Sequence, residues 1–191
     1  REDVGRLTQK YPGTAENGSV YNHAAAFYAY SLYQTGERNR AYNVLRLMLP
    51  SEQDIEQRGQ LPNFIPNYYR GAYHQIPDSA GRSSQLFNTG TVAWFYRCLV
   101  EGLLGLKGEK GALLIKPQLP SHWRNLKVQR QFAGAVFDIH YTQQGSDEGD
   151  NTITLELDGK HLEQARIDNI EAGRHYRLTI LITTSNQEYA A

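Results

Sequence analysis

The sequence is short of the features that mark specialised chains. Its one cysteine, Cys98, cannot form a disulfide framework within the chain. Set in an apolar helical run, it reads as a buried, inert thiol. Neither sign of charge is in excess, with 20 Lys+Arg against 20 Asp+Glu. That removes the basic face expected of a nucleic-acid binder and any electrostatic reason to sit on an anionic membrane. No apolar run nears the ~20 residues of a membrane span, and no signal-peptide pattern opens the chain. The chain begins at Arg1-Glu2-Asp3 without Met, which reads as a piece of a longer protein. Phosphate-loop, dinucleotide and HExxH patterns are missing, and so is a GxSxG elbow. The six histidines (23, 74, 122, 140, 161 and 175) lack metal-ligand spacing. Neither a metal nor a cofactor is expected.

What is abundant is tyrosine. There are 13 Tyr and 2 Trp, and most of the tyrosines precede residue 100. Such rings suit sugars, whose C–H faces stack and whose edges hydrogen-bond; packing between helices is the plainer reading. Periodicity predicts helices over Val20–Gln34, stopped by Gly36, over Glu37–Leu49, ended by Pro50, and over Thr91–Leu104. In the last, Val92, Phe95, Tyr96, Leu99, Val100 and Leu103 share a face. Residues 51–88, rich in Pro, Gly, Asn and Ser, read as a long irregular loop. Its aromatic rings suggest a binding loop over a cleft rather than disorder. After Gly108 the period changes to two, predicting strands over Ala112–Lys116, Leu126–Gln131, Ala135–Thr142, Thr152–Leu157 and Tyr176–Ile182. The expected class is therefore α+β: a helical part over 1–106, an antiparallel β-sandwich over 107–184, and a tail over 185–191. Three helices and a loop cannot close a core, so the helical part is expected to complete a larger helical domain.

Three polar clusters could carry chemistry. Glu16, Asn17 and His23 flank the start of the first helix, where a carboxylate, an amide and an imidazole can meet sugar hydroxyls and an anion. Asn88-Thr89-Gly90-Thr91 opens the third long helix, where free N–H groups form an anion site and glycine permits close approach. The loop supplies Arg70, Gln75 and Arg82 beside Tyr68, Tyr69, Tyr73 and His74. Each has a plainer reading, as caps or as a solvated loop.

The stretch Glu16-Asn17-Gly18, Tyr21, His23-Ala24-Ala25 resembles the ENGxxYxHAA segment of the glycoside hydrolase family 94 carbohydrate phosphorylases. Asn88-Thr89-Gly90-Thr91-Val92-Ala93-Trp94-Phe95-Tyr96 resembles that family's TGxxxWxY helix start. Glu101–Leu106, Leu114-Ile115-Lys116-Pro117, Leu119-Pro120 and Trp123 resemble its crossing into a C-terminal β domain. The wording is similar to cellobiose and, more closely, cellobionic acid phosphorylases, with kinship to cyclic β-1,2-glucan synthases. Asn88 stands where cellobiose phosphorylases more often carry Trp.

The resemblance implies the last helices of an (α/α)6 barrel followed by the β domain. It implies inverting phosphorolysis of a β-glucosidic disaccharide to α-glucose 1-phosphate, with inorganic phosphate as co-substrate. It places His23, Thr89 and the Gly90 amide on phosphate, and Glu16 and Gln75 on the sugar. The family's general-acid Asp lies upstream of the ENG motif, so no catalytic residue is assigned here, and the fragment alone is expected to be inactive. Arg70 or Arg82 could supply the cation that an acidic acceptor requires. Expected partners are the disaccharide or oligosaccharide, phosphate and the rest of the parent chain; a homodimer and a cytoplasmic location fit the family. A hydrolase on the same barrel, a carbohydrate-binding or structural module, and a glucan-processing domain of a synthase remain open alternatives.

Overall fold

The long helices precede the long strands in the chain. The computed structural model describes residues 4–49, 65–84, 90–145 and 150–185 and divides into two units, Arg1–Leu99 and Val100–Ala191. In the first unit, α1 (Arg6–Gln9) is a single turn. Helices α2 (Asn22–Gln34) and α3 (Arg38–Met48) form an antiparallel hairpin. Asn22, Ala26, Ala29, Leu32 and Tyr33 are buried on α2, and Arg38, Ala41, Leu45 and Met48 on α3. That is the spacing of one helix face, and its alanines let the two axes approach. Gly36 ends α2 as expected: it takes φ 82°, and Glu37 N–H donates to the Leu32 carbonyl at 2.9 Å, a Schellman closure. Pro50 lies outside the described residues.

Three expectations for this unit need correction. First, Val20–Tyr21 is not helical but forms strand β1. It pairs antiparallel with β2 (Tyr68–Tyr69), which pairs with β3 (Ser83–Ser84). Second, the loop over 51–88 therefore carries regular structure in its described part, including a 3₁₀ turn at Pro77–Ser79. Strands two residues long leave no period to detect. Third, the final helix is regular only over α4 (Gly90–Arg97) and widens to a π-helix over Cys98–Leu103. Its buried stripe is Thr91, Phe95 and Cys98, while Val92 and Tyr96 are 40% and 65% exposed. Counting apolar residues misplaces the face because a threonine occupies a core position. Cys98 is buried as expected, its thiol 3.4 Å from the Ala26 carbonyl.

The second unit holds two sheets. Strands β4 (Leu106–Glu109), β5 (Ala112–Ile115) and β10 (Arg166–Ile167) form a three-stranded sheet in the order β10-β5-β4. Strands β6 (Asn125–Phe132), β7 (Ala135–Gly145), β8 (Asp150–Leu157), β9 (Lys160–Leu162) and β11 (His175–Ser185) form a five-stranded sheet in the order β6-β7-β11-β8-β9. All five expected strands are present. Ala133-Gly134 and Asp158-Gly159 make tight hairpins with φ 51°/78° at each pair, the positive-φ turns that match strand twist. Ala135, Phe137, Ile139 and Tyr141 alternate inward with Tyr176, Leu178, Ile180 and Ile182, so one face of this sheet builds the core.

The sheet is not wholly antiparallel, because β11 runs parallel to β7. Strands β7 and β8 run in opposite directions with one strand position open between them. A single strand inserted there must parallel one neighbour and oppose the other, and β11 opposes β8. The period of two is the same in either direction, so alternation could not reveal it. Buried Gln143 fastens the preceding segment, its amide donating to the Pro120, Ser121 and Trp123 carbonyls at 3.0, 3.2 and 2.9 Å.

Candidate functional site

The starts of α2 and α4 are fastened to one short segment. Asn22 opens α2; its backbone N–H donates to the Asn67 carbonyl at 3.0 Å and its side-chain amide to the Pro66 carbonyl at 2.7 Å. Thr91, in the first turn of α4, donates its hydroxyl to the Asn67 side-chain oxygen at 2.8 Å. Asn22, Asn67 and Thr91 are all buried, where such bonds are held without competition from water.

This clamp puts His23 over Gly90. A Cβ built on Gly90 would lie 2.5 Å from His23 Cε1 and 2.5 Å from Nε2, so a side chain at residue 90 cannot coexist with the present ring. His23 Nδ1 is 3.0 Å from the Tyr21 hydroxyl. Its Nε2 is buried and has no hydrogen-bond partner among the described residues. A buried polar atom without a partner is costly, and a site waiting for a ligand is one cause of it. No side chain caps α2. Thr89, expected to act beside Gly90, lies outside the described residues, as does Asn88.

Aromatic rings continue from His23. Tyr21 stacks on Tyr68 at 4.8 Å, and Phe27 lies 4.6 Å from His23 and 4.6 Å from Trp94. Arg97 sits 4.9 Å over both Tyr30 and Trp94.

The other expected residues fall elsewhere. Glu16 is exposed and ion-paired with Lys10, whose hydrogen bond holds its carboxyl below the usual range. Asn17 caps nothing, since its amide turns back to the Lys10 carbonyl at 2.7 Å. Gln75 is exposed and lines an open cleft of about 580 Å³ with Asn17, Gly18, Tyr73 and His74; neither Glu16, His23 nor Gly90 lines it. The cleft wall depends on Gly71, where a Cβ would fall 1.9 Å from the Gly18 carbonyl oxygen. Arg70 and Arg82 face each other beyond the β2–β3 pair, joined by the Arg70 N–H to the Arg82 carbonyl at 2.8 Å. Arg70 Nε is buried without a hydrogen-bond partner among the described residues, while Arg82 is exposed.

Sequence reasoning missed Tyr21, Asn67 and Lys10 as participants. Tyr21 stands inside the quoted motif, two residues before His23, where β1 puts both on reach of one another. Asn67 carried no local signal, because its role is to join segments distant in sequence. No group of three or more His, Cys, Asp or Glu among the described residues could hold a metal ion. No helix among them is long and apolar enough to cross a membrane.

Residues 1–105 match the Glycosyl hydrolase 94 superfamily, catalytic domain. The chain is 52% identical over 185 residues to cellobionic acid phosphorylase of Neurospora crassa, covering 95% of this chain and 23% of that protein. It is 36% identical over 181 residues to 3-O-β-D-glucopyranosyl-β-D-glucuronide phosphorylase of Paenibacillus borealis, covering 92% of this chain and 23% of that one. It is 28% identical over 162 residues to cyclic β-(1,2)-glucan synthase NdvB of Rhizobium meliloti, covering 81% of this chain and 6% of the synthase. The chain thus spans less than a quarter of the length of these curated relatives. The extent of the family match, over more than half of the chain, places it in the glycosyl hydrolase 94 superfamily.

Proposed function

We propose that the full-length protein is an inverting phosphorylase of a β-glucosidic disaccharide whose leaving unit bears a carboxylate, and that this chain supplies part of its phosphate site. The observation that carries the reading is the His23 Nε2 atom, buried and unpartnered above a residue that tolerates no side chain. An oxyanion between Nε2 and the N-terminus of α4 would meet an imidazole donor, backbone N–H groups and the positive end of a helix dipole. Thr89 is proposed to join it. Two relatives bear names of acidic sugars, cellobionic acid and a glucuronide. Arg70 and Arg82 are the proposed cations for such an acceptor, and Glu16 and Gln75 the proposed sugar contacts.

In this mechanism a phosphate oxygen attacks the anomeric carbon from the face opposite the glycosidic bond. That bond breaks, and a carboxylic acid from outside this chain protonates the departing oxygen. The products are α-glucose 1-phosphate and the free sugar acid. Phosphate is already anionic, so it needs no base such as an inverting hydrolase uses to activate water. The site must hold it close and aligned. The helical part is proposed to supply the last helices of an (α/α)6 barrel. The apolar residues it leaves open support this: Phe27 is 44%, Leu47 80% and Tyr96 65% exposed.

The test is the full-length protein with cellobionic acid, with and without inorganic phosphate, followed by phosphorus NMR. Appearance of α-glucose 1-phosphate, dependent on phosphate, is expected. Equal consumption of the disaccharide in phosphate-free buffer would identify a hydrolase and end this reading. Replacing Arg70 and Arg82 with alanine should lower the ratio of cellobionic acid to cellobiose turnover; an unchanged ratio removes them from acceptor selection.

A further inference from the structure

One group touches His23 without any part in the reading above. We propose that Tyr21 is a positioning residue whose hydroxyl holds the His23 ring in the neutral tautomer that carries its proton on Nε2. The inference rests on the phosphate site just proposed and adds how that site keeps a donor aimed at the anion.

The two rings meet edge to face, with centroids 5.7 Å apart and planes at 74°, and the phenol oxygen is 3.0 Å from Nδ1. Tyr21 is itself held. It stacks on Tyr68 with planes at 20°, and the two are register partners across β1 and β2. An O–H donated to Nδ1 requires a lone pair there, which leaves the proton of a neutral imidazole on Nε2. Nε2 is the nitrogen that faces Gly90 and has no partner among the described residues. The opposite tautomer would aim a lone pair at the incoming oxyanion. Tyr21 therefore lets an uncharged ring act as donor, with no proton transferred in the process.

Tyr68 lies behind Tyr21, and burial, then Tyr21, then Glu16 push its phenol up. Glu16 is paired with Lys10 and held ionised below the usual carboxylate range. Phe27 and Gly90, against the other sides of the ring, carry no ionisable group.

Tyr21→Phe in the full-length protein keeps the stacking ring and removes only the hydroxyl. KM for phosphate, KM for the disaccharide and kcat are measured, and the nitrogen-15 NMR spectrum of the labelled His23 ring reads which nitrogen carries the proton. The expected variant-to-wild-type ratio for phosphate KM is roughly fivefold to tenfold, the effect of losing one ordinary hydrogen bond. KM for the disaccharide should not move. In the wild type the proton should sit on Nε2, and in Tyr21→Phe it should be shared with Nδ1. A wild-type ring protonated on Nδ1, or the same Nε2-protonated ring in both proteins, overturns the inference, since loss of packing alone has no reason to move the proton. His23→Ala separates the two levels. An unchanged phosphate KM in that variant removes the phosphate site itself; a raised one, beside an unaltered tautomer in Tyr21→Phe, removes only the tautomer role.

Discussion

Gly90→Ala tests the contact between the two helix starts most directly. Gly90 lies in helical backbone that any residue can adopt, so conformation does not stand in the way; space does. The new Cβ would lie 2.5 Å from Cε1 and Nε2 of His23, where ordinary contact begins near 3.4 Å. Ring or helix start must yield by about 0.9 Å, given that shortfall and close packing. The ring has little room, with Tyr21 on Nδ1 and Phe27 4.6 Å from its centre. Overpacking costs about 1–3 kcal/mol, and alanine returns up to about 1 kcal/mol of helix propensity. Net destabilisation should lie between about 0 and about 3 kcal/mol, read as a lowered Tm. Phosphate binding should suffer more. A displacement of that size exceeds the range of a good hydrogen bond, and loss of one bond to a charged group is worth about 1.5–3 kcal/mol. KM for phosphate should therefore rise about tenfold to a hundredfold in the full-length protein. In a His23→Ala background the alanine meets no ring, so the two changes should be strongly non-additive. Wild-type phosphate KM in Gly90→Ala, or the same factor with and without His23, would refute the reasoning.

Three further outcomes follow from other contacts. Asn67→Ala removes the acceptor of the buried Thr91 hydroxyl and should cost about 1–3 kcal/mol in denaturant unfolding; Asn67→Asp, which keeps an acceptor, should cost less. Gln143→Leu fills a similar volume but abandons three carbonyls and should cost at least about 2 kcal/mol, read as a lower Tm. Asp158 accepts the Arg177 N–H and pairs with Arg174, in that order of weight, and its carboxyl is held low. A lowered carboxyl contributes stability above the ordinary carboxylate pKa that is lost as pH falls through the folded value. Asp158→Asn should flatten the acid limb of a Tm–pH curve below about pH 4, and an unaltered limb would dismiss the contact.

What the residues disclosed in advance depended on how local the cause was. The α2 stop at Gly36 is set by a left-handed backbone conformation that few residues share, and it was legible. The buried face of α4 was not, because Thr91 is inside for the sake of a bond to Asn67, and hydroxyl partners are invisible to a count of apolar positions. Strand direction was equally hidden, since β11 alternates in the same way beside β7 and beside β8. His23 and Gly90 were named from their motifs and lie against each other, whereas Tyr21 became a candidate only once β1 brought its hydroxyl to Nδ1.

The arrangement also accounts for why neither helix start is persuasive alone. Each has a sufficient structural purpose by itself, one as an entry into α2 and the other as an entry into α4. A helix N-terminus becomes a specific anion site only when something opposes it at the right distance. In the proposed site that opposition is made by residue 67, which takes a backbone N–H from Asn22 and a hydroxyl from Thr91. Asn67, through its backbone carbonyl to Asn22 and its side-chain oxygen to Thr91, thus ties the two helix starts that carry the imidazole and the glycine. The selective pressure expected at Asn67 is then on geometry and not on contact with ligand. If the proposed phosphate site holds, substitutions there should raise KM for phosphate in proportion to how far they loosen Thr91.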